Sequence, residues 1–174
     1  LYVFKNNGYN SFPAFSPNSK LVVMGLNDTL AQICEVETGQ RIGILNGHTG
    51  PISKAIFSPG CDQIITYSSR DCCVWETATG KKLFSLFSKN QVNTFRSAGF
   101  SPDGKRVLIL KNNNHLELYD AITGSLLLPF ASKIPYISSA SFAADGNSKL
   151  PVVASYSSNW LLFFRMRTLL PSGE

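Results

Sequence analysis

An all-β fold assembled from repeated four-stranded sheets is predicted by three observations. A landmark recurs at nearly constant spacing, the same turn signals follow it in the same order, and the apolar runs between them are too short for helices. The landmarks are Phe15-Ser16-Pro17, Phe57-Ser58-Pro59, Phe100-Ser101-Pro102 and the degenerate Phe142-Ala143-Ala144, so the steps between phenylalanines are 42, 43 and 42 residues. That period excludes heptads, collagen triplets and leucine-rich coils, and it matches the blades of a β-propeller. A single blade cannot bury both of its faces, so neighbouring copies must stack.

The elements of one period follow from local chemistry. Each copy opens on turn-forming residues, Asn18-Ser19, Gly60-Cys61, Asp103-Gly104 and Asp145-Gly146, which favour tight reversals. An apolar, partly β-branched run comes next: Leu21 to Met24, Ile64 to Tyr67, Val107 to Leu110, and Val152 to Ala154. Runs of this length suit strands covered on both faces. A polar turn then precedes a third strand: Asn27-Asp28, Ser69-Arg70-Asp71, Asn112-Asn113-Asn114 or Ser157-Ser158-Asn159. Three copies close that strand with Glu37-Thr38-Gly39, Ala78-Thr79-Gly80 or Ile122-Thr123-Gly124, ahead of a fourth run such as Arg41 to Leu45 or Ser125 to Leu128. Four strands per period result, and blades are placed at about 9–45, 51–87, 93–130 and 136–170. Leu1-Tyr2-Val3-Phe4 reads as a lone strand of a neighbouring or closing blade.

The stretch Gly47-His48-Thr49-Gly50-Pro51-Ile52, then Phe57-Ser58-Pro59, then Val74-Trp75-Glu76, resembles the tryptophan-aspartate (WD) repeat family of β-propellers. The copy from Phe100 through Leu118-Tyr119-Asp120-Ala121-Ile122-Thr123-Gly124 is similar to the family without a gap, and the resemblance runs from Tyr9 to Arg167. One copy keeps both the Gly-His pair and a tryptophan; Cys34-Glu35, Tyr119-Asp120 and Phe164-Arg165 stand at the dipeptide elsewhere. The resemblance implies a ring of about seven blades, within the usual range of roughly 4 to 8. With four copies, and opening on Leu1 rather than methionine, the chain is expected to be a segment of such a ring.

Composition narrows the functional classes. The chain has 174 residues, 44% of them apolar and 16% charged, which argues for a packed globular unit. Its apolar stretches fall far short of the roughly 20 residues that span a bilayer, so no membrane insertion is expected. The four cysteines lack the paired spacing of a zinc site, and Cys72 and Cys73, adjacent on a strand, would face opposite ways. They read as unpaired thiols suited to a reducing compartment, cytoplasm or nucleus. Sixteen Lys and Arg against eleven Asp and Glu give a net charge of +5, but the basic residues are scattered rather than clustered.

The resemblance also implies a buried network, in which the histidine of the Gly-His pair bonds the aspartate before the third strand, a strand hydroxyl and the tryptophan completing it. The matching residues are His48, Asp71, Thr66 and Trp75. An imidazole can bridge a carboxylate and a hydroxyl because it offers two ring nitrogens. A catalytic reading would need a nucleophile on a recognisable frame, and no Gly-x-Ser-x-Gly elbow, phosphate-cradling loop or metal-ligand spacing is present in the sequence. No catalytic residue, metal or cofactor is therefore expected.

Loops at one end of the blades would present Tyr9, Asn27, Arg70, Lys89, Asn90, Asn113, His115, Lys133, Tyr136 and Trp160. Aromatic residues near turns can anchor partners, and loops on a rigid scaffold commonly carry recognition. The resemblance implies a non-enzymatic protein-interaction platform in a multi-subunit complex, and the basic and aromatic mixture suits an acidic peptide. Two alternatives stand beside it: RNA or phosphate binding by Arg70, Lys89, Lys111 and Lys133, and a purely architectural set of blades joined through its edges.

Overall fold

The computed structural model describes residues 13–68, 70–87, 95–131 and 137–142, together with the strand backbones of 152–156 and 160–164. The expected strand at Leu1 to Phe4 lies outside these residues, as do Tyr9, Lys89, Asn90, Lys133 and Tyr136. Every regular element among the described residues is a strand. The first sheet holds β1 (Ala14–Phe15), β2 (Leu21–Gly25), β3 (Leu30–Glu35) and β4 (Arg41–Asn46). The second holds β5 (Ile52–Phe57), β6 (Gln63–Ser68), β7 (Asp71–Glu76) and β8 (Lys82–Phe87). The third holds β9 (Phe95–Phe100), β10 (Arg106–Lys111), β11 (His115–Asp120) and β12 (Leu126–Ala131). The fourth shows β13 (Ser139–Phe142), β14 (Val152–Tyr156) and β15 (Trp160–Phe164). Strands within each sheet pair antiparallel in chain order, as a propeller blade does.

The serine of the Phe-Ser-Pro landmark closes the first turn of the first three blades. Ser16, Ser58 and Ser101 accept backbone bonds on Oγ from Leu21, Gln63 and Arg106 at 2.9, 3.0 and 3.0 Å. Their carbonyls accept from the N–H of Ser19, Cys61 and Gly104 at 2.8, 2.9 and 2.9 Å. That third residue is left-handed in every case, with φ of 59°, 63° and 71°. The left-handed position in the second copy thus falls on Cys61, the second residue of the Gly60-Cys61 turn. An L side chain pays about 1 kcal/mol there and glycine does not. Cys61→Gly is expected to raise the melting temperature by a few degrees, about what 0.5–1 kcal/mol produces in a domain of this size. A thermal scan beside the parent chain reads the sign directly.

Inner runs are continuously apolar because successive residues serve two different joints. From the second sheet, Ile64, Cys73 and Trp75 pack with Val23, Ile33 and Leu45 of the first. Ile65, Cys72 and Val74 pack instead with Val107, Ile109 and Tyr119 of the third. Three of the four landmark phenylalanines fill the joint toward the preceding sheet. Phe57 is 7% exposed within the first joint, and Phe100 and Phe142 pack against the next two. Phe15 stands 63% exposed, although Val22, Met24 and Cys34 on the same sheet are buried together.

The outer turns lock the blades at their periphery. The acidic residue that ends the dipeptide in the first three blades takes the turn threonine: Thr38 on Glu35 and Thr79 on Glu76 at 2.5 Å, and Thr123 on Asp120 at 2.9 Å. The turn glycine then passes beneath the outer strand of the preceding sheet. A Cβ at Gly80 would meet the Ile44 carbonyl at 3.1 Å, and one at Gly124 would meet the Phe84 ring at 2.6 Å. Both glycines also have left-handed backbones, so this position requires glycine for two independent reasons.

Candidate interaction face and the network beneath it

The second sheet brings His48, Thr66, Asp71 and Trp75 together in its joint with the first. His48 Nδ1 bonds the Asp71 carboxylate, and His48 Nε2 meets Thr66 Oγ1 at 2.5 Å. The Trp75 indole N–H donates to the same hydroxyl at 2.6 Å. A neutral His48 satisfies every atom in one direction: Trp75 donates to Thr66, Thr66 to Nε2, and Nδ1–H to the carboxylate. Asp71 is further held by the Thr49 backbone N–H and hydroxyl, both at 2.7 Å, and by Ser68 Oγ at 2.5 Å. All of these side chains except Thr49 are buried. Satisfied networks of this kind stiffen a fold because breaking any one bond strands a buried group.

Burial alone would raise the Asp71 pKa, but hydrogen bonds from His48, Ser68 and Thr49 overcome it and hold the carboxyl well below its usual range. A carboxylate depressed in the folded state stabilises fully above its unfolded pKa of about 3.9, and that stabilisation is lost as pH falls toward the folded value. The urea midpoint is therefore expected to drop below about pH 4, and the gap between parent and Asp71→Asn should narrow over the same interval. Asp103 and Asp120 are also depressed, by bonds from Ser101 and Thr123 respectively. Their share of the acid dependence should persist in Asp71→Asn.

The spacing rules of the sequence did not reveal that Cys73 joins this group. Its Sγ lies 4.0 Å from His48 Nδ1, and the ligand-type atoms of His48, Asp71 and Cys73 all fall within 4.8 Å of one another. Burial, with the nearby Asp71 charge, pushes the Cys73 thiol up to about 12. A thiol held protonated is a poor nucleophile. Nδ1 is also already committed to Asp71, so the cluster is a closed hydrogen-bonded core.

The third sheet uses different residues at the corresponding joint. Tyr119 occupies the register position of Trp75, and Glu117 that of Cys73. The Tyr119 hydroxyl donates to Glu117 at 2.6 Å, and Lys111 pairs with the same carboxylate at 2.7 Å. Burial, then Glu117, pushes the Tyr119 pKa up. Lys111, counted in the sequence among residues for a phosphate ligand, is thus neutralised by its neighbour.

The turns after β2, β6 and β10 share one end of the sheets, and bonds between sheets tie that end together. The Ile52 N–H donates to the Asp28 carbonyl at 2.7 Å, and the Ile137 N–H to Asn114 Oδ1 at 3.0 Å. Arg96 Nη1 donates to the Ile137 carbonyl. The candidate face residues play unequal parts here. Asn27 Oδ1 accepts from Thr29 and Leu30 backbone N–H groups at 3.0 and 2.9 Å, and Asn113 Oδ1 accepts from the His115 N–H at 3.2 Å. Both side chains fold back as turn formers. His115 opens β11 exposed, and Arg70 is exposed with its head on the Thr49 carbonyl at 3.3 Å. Trp160 opens β15, of which the backbone alone is described.

These features define a repeat protein of stacked four-stranded blades with one hydrogen-bonded network at its centre. No protein-family model matches the chain. It is similar to eukaryotic translation initiation factor 3 subunit I of Kluyveromyces lactis, 32% identical over 101 residues, covering 55% of this chain and 27% of that protein. It is similar to transcription initiation factor TFIID subunit 5 of Caenorhabditis elegans, 27% identical over 116 residues, covering 65% and 18% respectively. An uncharacterized WD repeat-containing protein of Deinococcus radiodurans is 31% identical over 128 residues, covering 66% of this chain and 45% of its own length. The chain thus spans less than half the length of these curated relatives. Its repeats are similar to WD repeats in period and motif order, and one of these relatives is named for that repeat.

Proposed function

We propose that the chain is a non-enzymatic docking platform that presents one end of its blades to other proteins of a multi-subunit assembly. The observation that carries this reading is the tied end itself, where a bond from Ile52 to Asp28 fastens the second blade to the first and one from Ile137 to Asn114 fastens the fourth to the third. A rigid surface of loops suits recognition because little ordering entropy is lost on binding. Two of the relatives bear subunit names, which supports a place in an assembly. The buried thiol and the committed imidazole leave the blade network no reactive group, in keeping with a protein that binds rather than catalyses.

A specific observation favours the architectural alternative as a second reading. Ile42, Leu83 and Leu127 stand at the bulge of the outer strands β4, β8 and β12, and are 46%, 37% and 48% exposed. An exposed apolar side chain on each outer strand offers contact area for side-chain packing at the blade edges. Co-purification of the chain carrying Arg70→Glu with Lys54→Glu, beside Ile42→Glu with Leu83→Glu, separates the two. Loss of partners in the first variant alone supports the platform, and loss in the second alone supports the edges. Salt titration tests the RNA alternative, since affinity resting on phosphate contacts falls steeply with ionic strength.

A further inference from the structure

Resting on the platform reading, we propose that Arg70 is the anchor of the docking face and takes a carboxylate side chain from an acidic segment of the protein partner. Arg70 sits at the tip of the turn between β6 and β7, and its backbone N–H donates to Ser68 Oγ at 3.0 Å. The same Ser68 hydroxyl bonds Asp71. Its side-chain stem lies along Gly50, where a Cβ would approach the Arg70 Cδ to 3.3 Å, and Gly50 is buried beneath it. One guanidinium nitrogen, Nη1, rests on the Thr49 carbonyl at 3.3 Å, while the residue as a whole remains exposed. Thr49 is itself fastened to Asp71 through its N–H and hydroxyl. The arginine is thus held at both ends by the buried network, with its remaining planar donors toward solvent.

This arrangement offers what a carboxylate needs and what the neighbouring turns lack. A guanidinium whose stem is already placed loses little entropy on binding and can meet a carboxylate with two parallel bonds. Arginine is over-represented among residues that dominate binding energy. The corresponding turns carry Asp28 on the first sheet and Asn113 on the third, neither of which donates a charged fork. Lys54, exposed on β5 opposite Tyr67, adds a second positive charge to the same end of the second sheet. Arg96 reaches the same end of the third sheet, but its Nε is on Asn112 and its Nη1 on the Ile137 carbonyl, so its guanidinium is engaged within the fold. With the acidic Asp28 on the adjoining turn of the first sheet, Arg70 anchors one acidic position rather than a uniformly acidic tract.

The experiment displays a library of randomised octapeptides to the chain at physiological salt and then measures selected peptides against Arg70→Lys and Arg70→Ala. Selected peptides should share Asp or Glu at one position. Their affinity should fall tenfold or more in Arg70→Ala, with partial retention in Arg70→Lys, which keeps the charge but not the fork. Peptides that carry no fixed acid, or that bind Arg70→Ala equally well, would overturn the anchor and leave the platform standing. Enrichment of no sequence above the unselected pool would overturn both.

Discussion

Replacing Asp71 with alanine should destabilise the chain by about 3–5 kcal/mol, the usual cost of removing one partner from a buried, hydrogen-bonded pair. The loss is large because four groups depend on this carboxylate: the His48 ring, the Thr49 N–H, and the hydroxyls of Thr49 and Ser68. Without it, His48 and Ser68 remain buried and must find water or go unpaired. Urea denaturation reads the effect as a lower midpoint at unchanged slope. Asp71→Asn keeps an acceptor and should cost less. An Asp71→Ala chain as stable as the parent would mean that these bonds contribute nothing net.

Trp75→Ala should cost a further sum of similar size, about 3–5 kcal/mol by the general behaviour of large aromatic truncations in a core. Trp75 is among the largest fully buried side chains and sits in the joint with Val23, Ile33 and Leu45, so its removal opens space in two blades at once. It also removes the indole N–H from Thr66, and Lys82, 5.8 Å from the ring centroid, loses its cover. Trp75→Phe keeps most of the apolar area and isolates the polar part of the loss. Residues of one network are not independent, so Asp71→Ala with Trp75→Ala should destabilise by less than the two single effects together. Strict additivity would show that the bonds from Trp75 through Thr66 and His48 do not act as a unit.

Much of the fold was legible because its signals are local and repeat. The Phe-Ser-Pro serines, the turn glycines Gly80 and Gly124, and the runs Ile64 to Tyr67 and Val107 to Leu110 each carry a local reason that recurs with the period. The pair Gly60-Cys61 was legible as a turn, and the bond from the Cys61 N–H to the Ser58 carbonyl sets the left-handed position on its second residue. Within the site, the grouping of His48, Thr66, Asp71 and Trp75 was implied by the family resemblance. Cys73 and the Glu117 pairing with Lys111 were not, because both depend on which residues of paired strands share a face, and that register is set by the folded hairpin rather than by any motif. Arg70 could be named as a face residue from its turn. Its support by Gly50 and Thr49 could not, since those contacts bridge residues about 20 positions apart in sequence.

The account depends on successive sheets stacking blade against blade, and nuclear Overhauser contacts across the joint of the second and third sheets test this most directly. The predicted result is strong contacts from the Phe84 ring of β8 to the Gly124 α protons, whose turn the ring overlies, alongside the antiparallel contacts within each sheet. Intact contacts within the sheets, with none from Phe84 to Gly124, would contradict the stacking.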